Sequence, residues 1–219
     1  MTVSRRRLLH ALASSGTMLP WAGCLAPDGT PATETPPGED AQSESPSASS
    51  GWAIDVPETP PDVSCSAVSR PTAESVDREG ALEPRPYPGR PPSEPAGEAG
   101  VAYVTAFERA YRQNDEMLSN TDLATDGGRD SYLTRFDITV RDSWVTAGPA
   151  GSAVVRLQYV GSGSVHPGLE FDYVTQYVTY YVGSARVVRA RTTRRDFEGV
   201  DALDPDPWTD GTPVACFEG

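Results

Sequence analysis

The sequence predicts an α+β fold in which one long helix packs across an antiparallel sheet of about four strands. Three patterns indicate this fold. Apolar residues recur at helical spacing after residue 93, apolar and polar residues alternate from 132 to 159, and Gly183-Ser184 joins two further apolar segments. A helix followed by several strands is the order typical of a helix that lies on one face of a meander.

The helix is predicted by a stripe of large apolar residues at helical spacing, namely Val101, Val104, Phe107, Tyr111 and Leu118. Ser93 can cap its start, and Pro95 suits the first turn, where no backbone N–H is needed. Four charged residues are assigned to the opposite, solvent-facing side, where they can form i,i+4 ion pairs: Glu108, Arg109, Arg112 and Glu116. The helix is therefore expected to have one buried face and to end near Leu118.

Four strands follow in the prediction. The first alternates between Tyr132 and Trp144, and Gly148-Pro149-Ala150-Gly151 turns the chain. The second begins at Ala153 and is expected to end at Gly161-Ser162-Gly163, because glycine interrupts strands. The third covers 169–182 and the fourth covers 185–194.

The last hairpin contains the candidate binding surface. Its glycine suits the first position of a type II′ turn, and strict alternation then places Tyr180, Arg189 and Arg191 on one face. Both faces of the hairpin are partly apolar. Either the hairpin is covered on both sides, or one side offers an exposed tyrosine-arginine surface that a ligand could use.

The N-terminus has the layout of an export signal. Ser4, Arg5 and Arg6 precede a weakly apolar segment that is too short to cross a bilayer as a permanent helix. This segment resembles the twin-arginine export signal. Ala22-Gly23-Cys24 is similar to the lipobox of prokaryotic lipoproteins, in which the cysteine thiol takes a lipid and becomes the new N-terminus. The resemblance implies a signal peptide over 1–23, lipidation of Cys24 and a place on the extracellular face of the cell membrane.

Charge and composition narrow the possible partners. The 219 residues have a net charge of -13, and all 18 basic residues are arginine. Removing the segment before Cys24 takes away three arginines and no acid, so the mature chain carries -16. Nucleic acid is excluded as a partner because it is itself a polyanion. Acidic excess, arginine in place of lysine and the export signal together resemble the twin-arginine-exported lipoproteins of halophilic archaea, a likeness that implies only location.

Composition also divides the mature chain. Residues 24–62 are rich in Pro, Thr, Ser, Gly and Glu, which predicts a disordered tether, and a globular domain is predicted over 63–219. Within it we expect a Pro-rich strap over 69–95 and an irregular tail over 195–219. If Cys24 carries lipid, Cys65 and Cys216 remain as an even pair, and a disulfide between them would pin that tail.

No residue pattern indicates catalysis, a metal or a cofactor. The mature chain has a single histidine, His166, and no phosphate-binding glycine loop. The first hypothesis is therefore a membrane-anchored, non-enzymatic binding module for an extracellular ligand or envelope protein. The alternatives are a carboxylate-based extracellular hydrolase, which needs two acids facing each other in a cleft, and a structural protein of the cell envelope.

The predicted order of elements is also similar to helix-then-meander folds of the cystatin and nuclear transport factor 2 (NTF2) kind. This likeness of topology carries no functional residue across.

Overall fold

The computed structural model describes residues 49–50, 52–127 and 131–217, which belong to one compact unit. One helix, α1 (Glu98–Gly127), packs on a sheet, which confirms the α+β class. The sheet has seven strands in the described residues, more than the four expected. The strands are β1 (Ser49–Ser50), β2 (Tyr132–Ala147), β3 (Ala153–His166), β4 (Leu169–Asp172), β5 (Gln176–Val182), β6 (Arg186–Thr193) and β7 (Thr212–Cys216).

The strands follow the order β1-β2-β3-β5-β6-β7, and β4 pairs with the far end of β3. The short β1 runs parallel to β2, whereas every other pair is antiparallel. The long β2–β3 hairpin therefore forms one side of the sheet, and β6 and β7 form the other.

The glycines expected to end the second strand lie inside β3. Gly161 pairs with Ile138, and Gly163 pairs with Phe136. Two aromatic rings lie over these positions: a Cβ on Gly161 would come within 3.0 Å of the Tyr173 ring, and one on Gly163 would collide with Phe171. The glycines therefore make room for rings instead of ending the strand. The third strand predicted over 169–182 is divided into β4 and β5, which both pair with β3.

The last hairpin keeps the predicted faces although its turn differs. The Gly183 N–H donates to the Arg186 carbonyl at 3.0 Å, so Ser184 and Ala185 form the turn. Tyr180 consequently pairs with Arg189. This register differs by two residues from a turn centred on Gly183-Ser184, and a shift of two leaves every side chain on the same face.

The C-terminal tail is more regular than expected, because its last described residues form β7 on the edge of β6. Cys216, at the end of β7, is bonded to Cys65, which confirms the predicted disulfide. The two cysteines are 151 residues apart. In the chain-entropy model, closing a loop of that length stabilises the folded state by about 5 kcal/mol.

Helix α1 begins later, ends later and is buried over a wider arc than the sequence predicts. It starts at Glu98, after a turn in which the Gly97 carbonyl accepts the Val101 N–H, and it extends to Gly127. Leu118, assigned to the buried stripe, is 37% exposed. Three residues assigned to the solvent face are instead buried, namely Glu108, Arg112 and Glu116. Only Arg109 of that set keeps substantial exposure.

The strap over 69–95 covers a further part of α1, where Gln113 and Asn114 are buried. Asn114 holds it at two points: its Oδ1 accepts the Arg85 N–H at 2.9 Å, and its Nδ2 donates to the Arg85 carbonyl at 3.0 Å. Gln113 donates to the Glu83 carbonyl at 2.6 Å. The Tyr87 ring lies 5.0 Å from Phe107, and its hydroxyl donates to the Pro71 carbonyl.

The segment before the strap is also packed on the domain, although a tether was predicted up to residue 62. Trp52 is 8% exposed, and its indole N–H donates to the Val200 carbonyl at 2.7 Å. Further along, the Trp208 indole donates to the Thr59 carbonyl, and Arg186 donates to the Val63 carbonyl at 2.9 Å. The Trp52 side chain and the backbone carbonyls of this segment therefore hold it on the domain.

Several predictions made from the N-terminus lie outside the described residues. These are the signal peptide over 1–23 with Ser4, Arg5 and Arg6, the lipidated Cys24 and most of the tether. Across the ranges that the structure does describe, α1 is not apolar enough to span a membrane.

The strap gives the first testable prediction. Replacing Asn114 with Ala leaves the N–H and carbonyl of Arg85 without partners, so the free energy of unfolding should fall by about 1–3 kcal/mol. Denaturant unfolding measures this loss. Asn120→Ala is the matched control, because the Asn120 amide donates back to the Glu116 carbonyl within α1 and not to the strap in the described residues. An Asn114→Ala variant as stable as this control would show that the strap does not depend on the amide.

Candidate functional site

A group of buried charged and phenolic side chains lies between α1 and the sheet, where the Glu108 carboxylate accepts four hydrogen bonds. Its Oε1 accepts Arg189 Nη2 at 2.7 Å and the Tyr159 hydroxyl at 2.6 Å. Its Oε2 accepts Arg189 Nε at 2.8 Å and the Tyr180 hydroxyl at 2.6 Å. Glu108 is 0% exposed. We call these four residues the carboxylate cluster.

Neighbouring strands supply the donors of the carboxylate cluster. Tyr159 comes from β3, Tyr180 from β5 and Arg189 from β6, which are adjacent in the sheet. Tyr180 and Arg189 are a direct cross-strand pair, so their side chains rise from the same face. Glu108 points at this face because it follows Val104 by four residues and Val101 by seven.

Burial and pairing together set the protonation states of the cluster. Burial alone would raise the pKa of Glu108, but the Arg189 guanidinium and the hydrogen bonds from Arg189, Tyr159 and Tyr180 outweigh it and lower that pKa. Burial and the Glu108 charge raise the pKa values of Tyr159 and Tyr180. Burial lowers the pKa of Arg189, but the Glu108 charge reverses this and raises it. At neutral pH the cluster is therefore a carboxylate, a guanidinium and two protonated phenols.

Aromatic rings fill the space around the carboxylate cluster. The Phe107 ring lies 5.9 Å from Tyr180 at an edge-on angle, and the Tyr111 ring lies 4.0 Å from the Arg189 guanidinium. The donors from Tyr159, Tyr180 and Arg189 therefore bind Glu108 within a surround of aromatic rings. The cluster has the chemistry of an anion-binding site, but its ligand is part of the chain.

A second buried ion pair lies further along α1. Arg112 is 6% exposed and donates to Glu116 at 2.8 Å and to Asp115 at 2.7 Å. The Tyr173 hydroxyl also donates to Glu116, and its ring lies 5.3 Å from the Arg112 guanidinium. The predicted i,i+4 pair from Arg112 to Glu116 is therefore present, but it is buried between the helix and the chain that follows β4.

The opposite face of the sheet contains a third buried guanidinium, that of Arg156. Arg156 stands between the apolar Val155 and Leu157 of β3, so its side chain lies on the opposite face of the strand, yet it is 0% exposed. Its Nη2 donates to the Ala202 carbonyl at 2.5 Å, and its guanidinium lies 4.1 Å from the Trp52 ring and 5.1 Å from Phe197. Burial lowers its pKa to about 10, although the Asp204 charge acts in the other direction. Arg156 thus joins the tail and the N-terminal segment to the sheet.

The predicted tyrosine-arginine surface is largely absent. Tyr180 is 0% exposed and Arg189 is 8% exposed, because α1 covers them. Arg191 alone is exposed, and it donates to Gln176 at 3.3 Å. The other face of this hairpin is covered by the tail, where Phe197 stacks on Tyr177 at 3.7 Å. Of the two arrangements that the sequence left open, the hairpin has the one covered on both sides.

In the described residues the most buried acids are paired with arginines, and no metal-binding group is present. These two acids are Glu108 and Glu116. No group of three or more His, Cys, Asp or Glu side chains converges as a metal site within the described ranges. A shallow apolar depression between the strap, α1 and β2 has room for about one water molecule, and Leu82, Met117 and Leu133 are among its lining residues.

Comparison with protein-family models, with curated proteins and with solved structures found no match to this chain. Any proposal about function therefore depends on the chain's own residues.

The dependence of the free energy of unfolding on acidic pH gives the second testable prediction. Because the folded pKa of Glu108 is lowered, its stabilisation is present above the unfolded pKa of about 4.3 and is lost as pH falls through the folded value. Glu108→Gln cannot titrate. The stability advantage of the native chain over this variant should therefore be largest near neutral pH and shrink below about pH 4.3, as measured by urea unfolding at constant salt.

The control for this experiment is Glu98→Gln, which removes an exposed acid from the first turn of the same helix. Its difference from the native chain should be small at every pH. A Glu108→Gln deficit that stays constant from neutral to strongly acidic pH would contradict the lowered pKa.

Proposed function

We propose that this protein is a lipid-anchored, non-enzymatic module on the extracellular face of the cell membrane, which acts by contact through its outer surface. The observation that carries the proposal is the filled interior. The place between helix and sheet where a fold of this kind could enclose a ligand is filled by Glu108, which binds all the donors directed at it. A module whose helix–sheet interface is filled in this way can still bind a partner through its exterior.

The anchor part of the proposal is supported by the order of features at the N-terminus. Arg5 and Arg6, a short apolar segment and Cys24 occur in the sequence expected of an exported lipoprotein. The confirmed disulfide between Cys65 and Cys216 is compatible with an oxidising compartment. The likeness to halophilic lipoproteins and to cystatin-like or NTF2-like topologies adds location and shape to the proposal but no activity.

The hydrolase alternative has less support in the described residues. It requires a carboxyl group whose pKa is raised so that it can donate a proton. The fully buried acid, Glu108, has a lowered pKa instead because Arg189 stabilises its charged form. Glu116 lies against Arg112, which holds it as an ion-pair partner. Neither arrangement suits general acid catalysis.

The third testable prediction concerns the anchor and is made in the native host. Cys24→Ser removes the thiol that lipid would modify, so the protein should move from the membrane fraction to the medium. Arg5→Lys combined with Arg6→Lys should instead retain an unprocessed precursor in the cytoplasm. Fractionation followed by mass spectrometry of the N-terminal peptide measures both results.

The released Cys24→Ser protein also tests the contact part of the proposal. Added back to washed cell envelopes at native salt, it should sediment with them, because the partner contact does not need the lipid. Two results would contradict the proposal: a Cys24→Ser variant that stays in the membrane fraction like the native chain, or a released variant that shows no affinity for envelopes.

A further inference from the structure

Arg189, Tyr159 and Tyr180 have the composition and geometry of a carboxylate receptor. A carboxylate has two oxygens, and here each oxygen accepts one guanidinium N–H and one phenol O–H at 2.6–2.8 Å. The bidentate fork of arginine matches the plane of a carboxylate. The two phenols complete the set of donors from opposite ends of the group.

We infer that Arg189, Tyr159 and Tyr180 form a carboxylate-binding site whose resident ligand is the chain's own Glu108, and that this site accepts a free short-chain monocarboxylate when the Glu108 side chain is removed. The inference does not depend on the lipid anchor or on the proposed surface contact. It assigns to the core a carboxylate-binding site that Glu108 occupies in the native chain.

The donors of the site persist without the ligand because the sheet holds them. They come from three adjacent strands, and Tyr180 and Arg189 are directly paired across two of them. Arg189 is further held against the Tyr111 ring at 4.0 Å. Removing the Glu108 side chain therefore leaves a vacancy lined by preorganised donors, and preorganised sites lose little free energy to ordering when they bind.

The chemistry of the site predicts its selectivity. All four groups directed at the ligand are donors, and an arginine N–H cannot accept a hydrogen bond. A primary amide would place its own N–H groups against these donors, so a neutral analogue of the same shape should be rejected. Sites built in this way discriminate strongly, because a mismatched ligand leaves buried polar groups unpaired.

The size of the vacancy predicts which acid fits. Glu108→Ala keeps the Cβ atom and removes the remaining two carbons with their oxygens, which are the heavy atoms of acetate. Glu108→Gly also removes the Cβ atom, so the missing atoms are those of propionate. The preferred ligand should therefore change from acetate to propionate between the two variants.

The test measures thermal and denaturant unfolding of Glu108→Ala while sodium acetate replaces sodium chloride at constant ionic strength. Acetate should stabilise this variant saturably, by about tenfold in the folding equilibrium constant at ten times the dissociation constant. Acetamide should have no such effect. The native chain, whose site is occupied, should respond to neither, and propionate should surpass acetate only for Glu108→Gly.

The double variant Glu108→Ala with Arg189→Met provides the matched control, since it keeps the vacancy but loses the bidentate donor. It should show no saturable response to acetate. If Glu108→Ala does not fold in chloride, recovery of its near-ultraviolet circular dichroism in acetate supports the inference, and failure to fold in either salt overturns it. The inference is also overturned if acetate and acetamide act alike, or if the double variant is rescued equally well.

Discussion

The position of α1 on the sheet is constrained by one fully buried negative charge, that of Glu108. An ionised carboxylate removed from water carries a penalty of several kcal/mol, and the protein must supply partners for it within the core. Glu108 receives them from three strands at once, through Arg189, Tyr159 and Tyr180. The carboxylate cluster therefore fixes α1 in one position along the sheet, because a slip of one residue or one turn would separate the charge from its partners.

The rest of the chain encloses this arrangement. The strap covers a further part of α1 through Asn114, and the tail with the N-terminal segment covers the opposite face of the sheet around Arg156. The disulfide from Cys65 to Cys216 joins the segment just before the strap to β7. Both faces of the β5–β6 hairpin are therefore covered, whereas the outward-facing side chains of β2, such as Arg135 and Asp137, stay exposed. The proposed function accordingly uses the exterior. The use of arginine in place of lysine also has a structural role. Three buried arginines, Arg112, Arg156 and Arg189, make several contacts at once through the planar guanidinium, which lysine could not make.

The periodicity of the sequence predicted the α+β class and the hairpin faces around Tyr180 and Arg189. The cysteine count, with Cys24 assigned to lipid, predicted the pairing of Cys65 with Cys216. The prediction that Glu108 lies on the solvent-facing side of the helix was wrong, because it followed from the charge of the residue and not from its position along the helix. A helical wheel sets Glu108 between Val101 and Val104, which was an available signal. Other features depend on contacts between residues that are distant in sequence, so the local pattern could not predict them. Gly161 and Gly163 resemble strand ends until Tyr173 and Phe171 are seen to cover them. Trp52 and Arg156 meet across more than a hundred residues, so neither reveals the other.

The coupling energy between Glu108 and Arg189 tests the central claim most directly. It is obtained from a double-mutant cycle with Glu108→Ala, Arg189→Met and the combined variant, in which each free energy of unfolding is measured by denaturant titration. The exposed pair Arg109 and Asp137, whose closest atoms are 3.7 Å apart, serves as the reference cycle. If Glu108 organises the core, the two single variants each lose about 3–5 kcal/mol, and the cycle yields a coupling of at least about 1.5 kcal/mol, far above the reference. Additivity of the two substitutions to within about 0.5 kcal/mol would contradict the account.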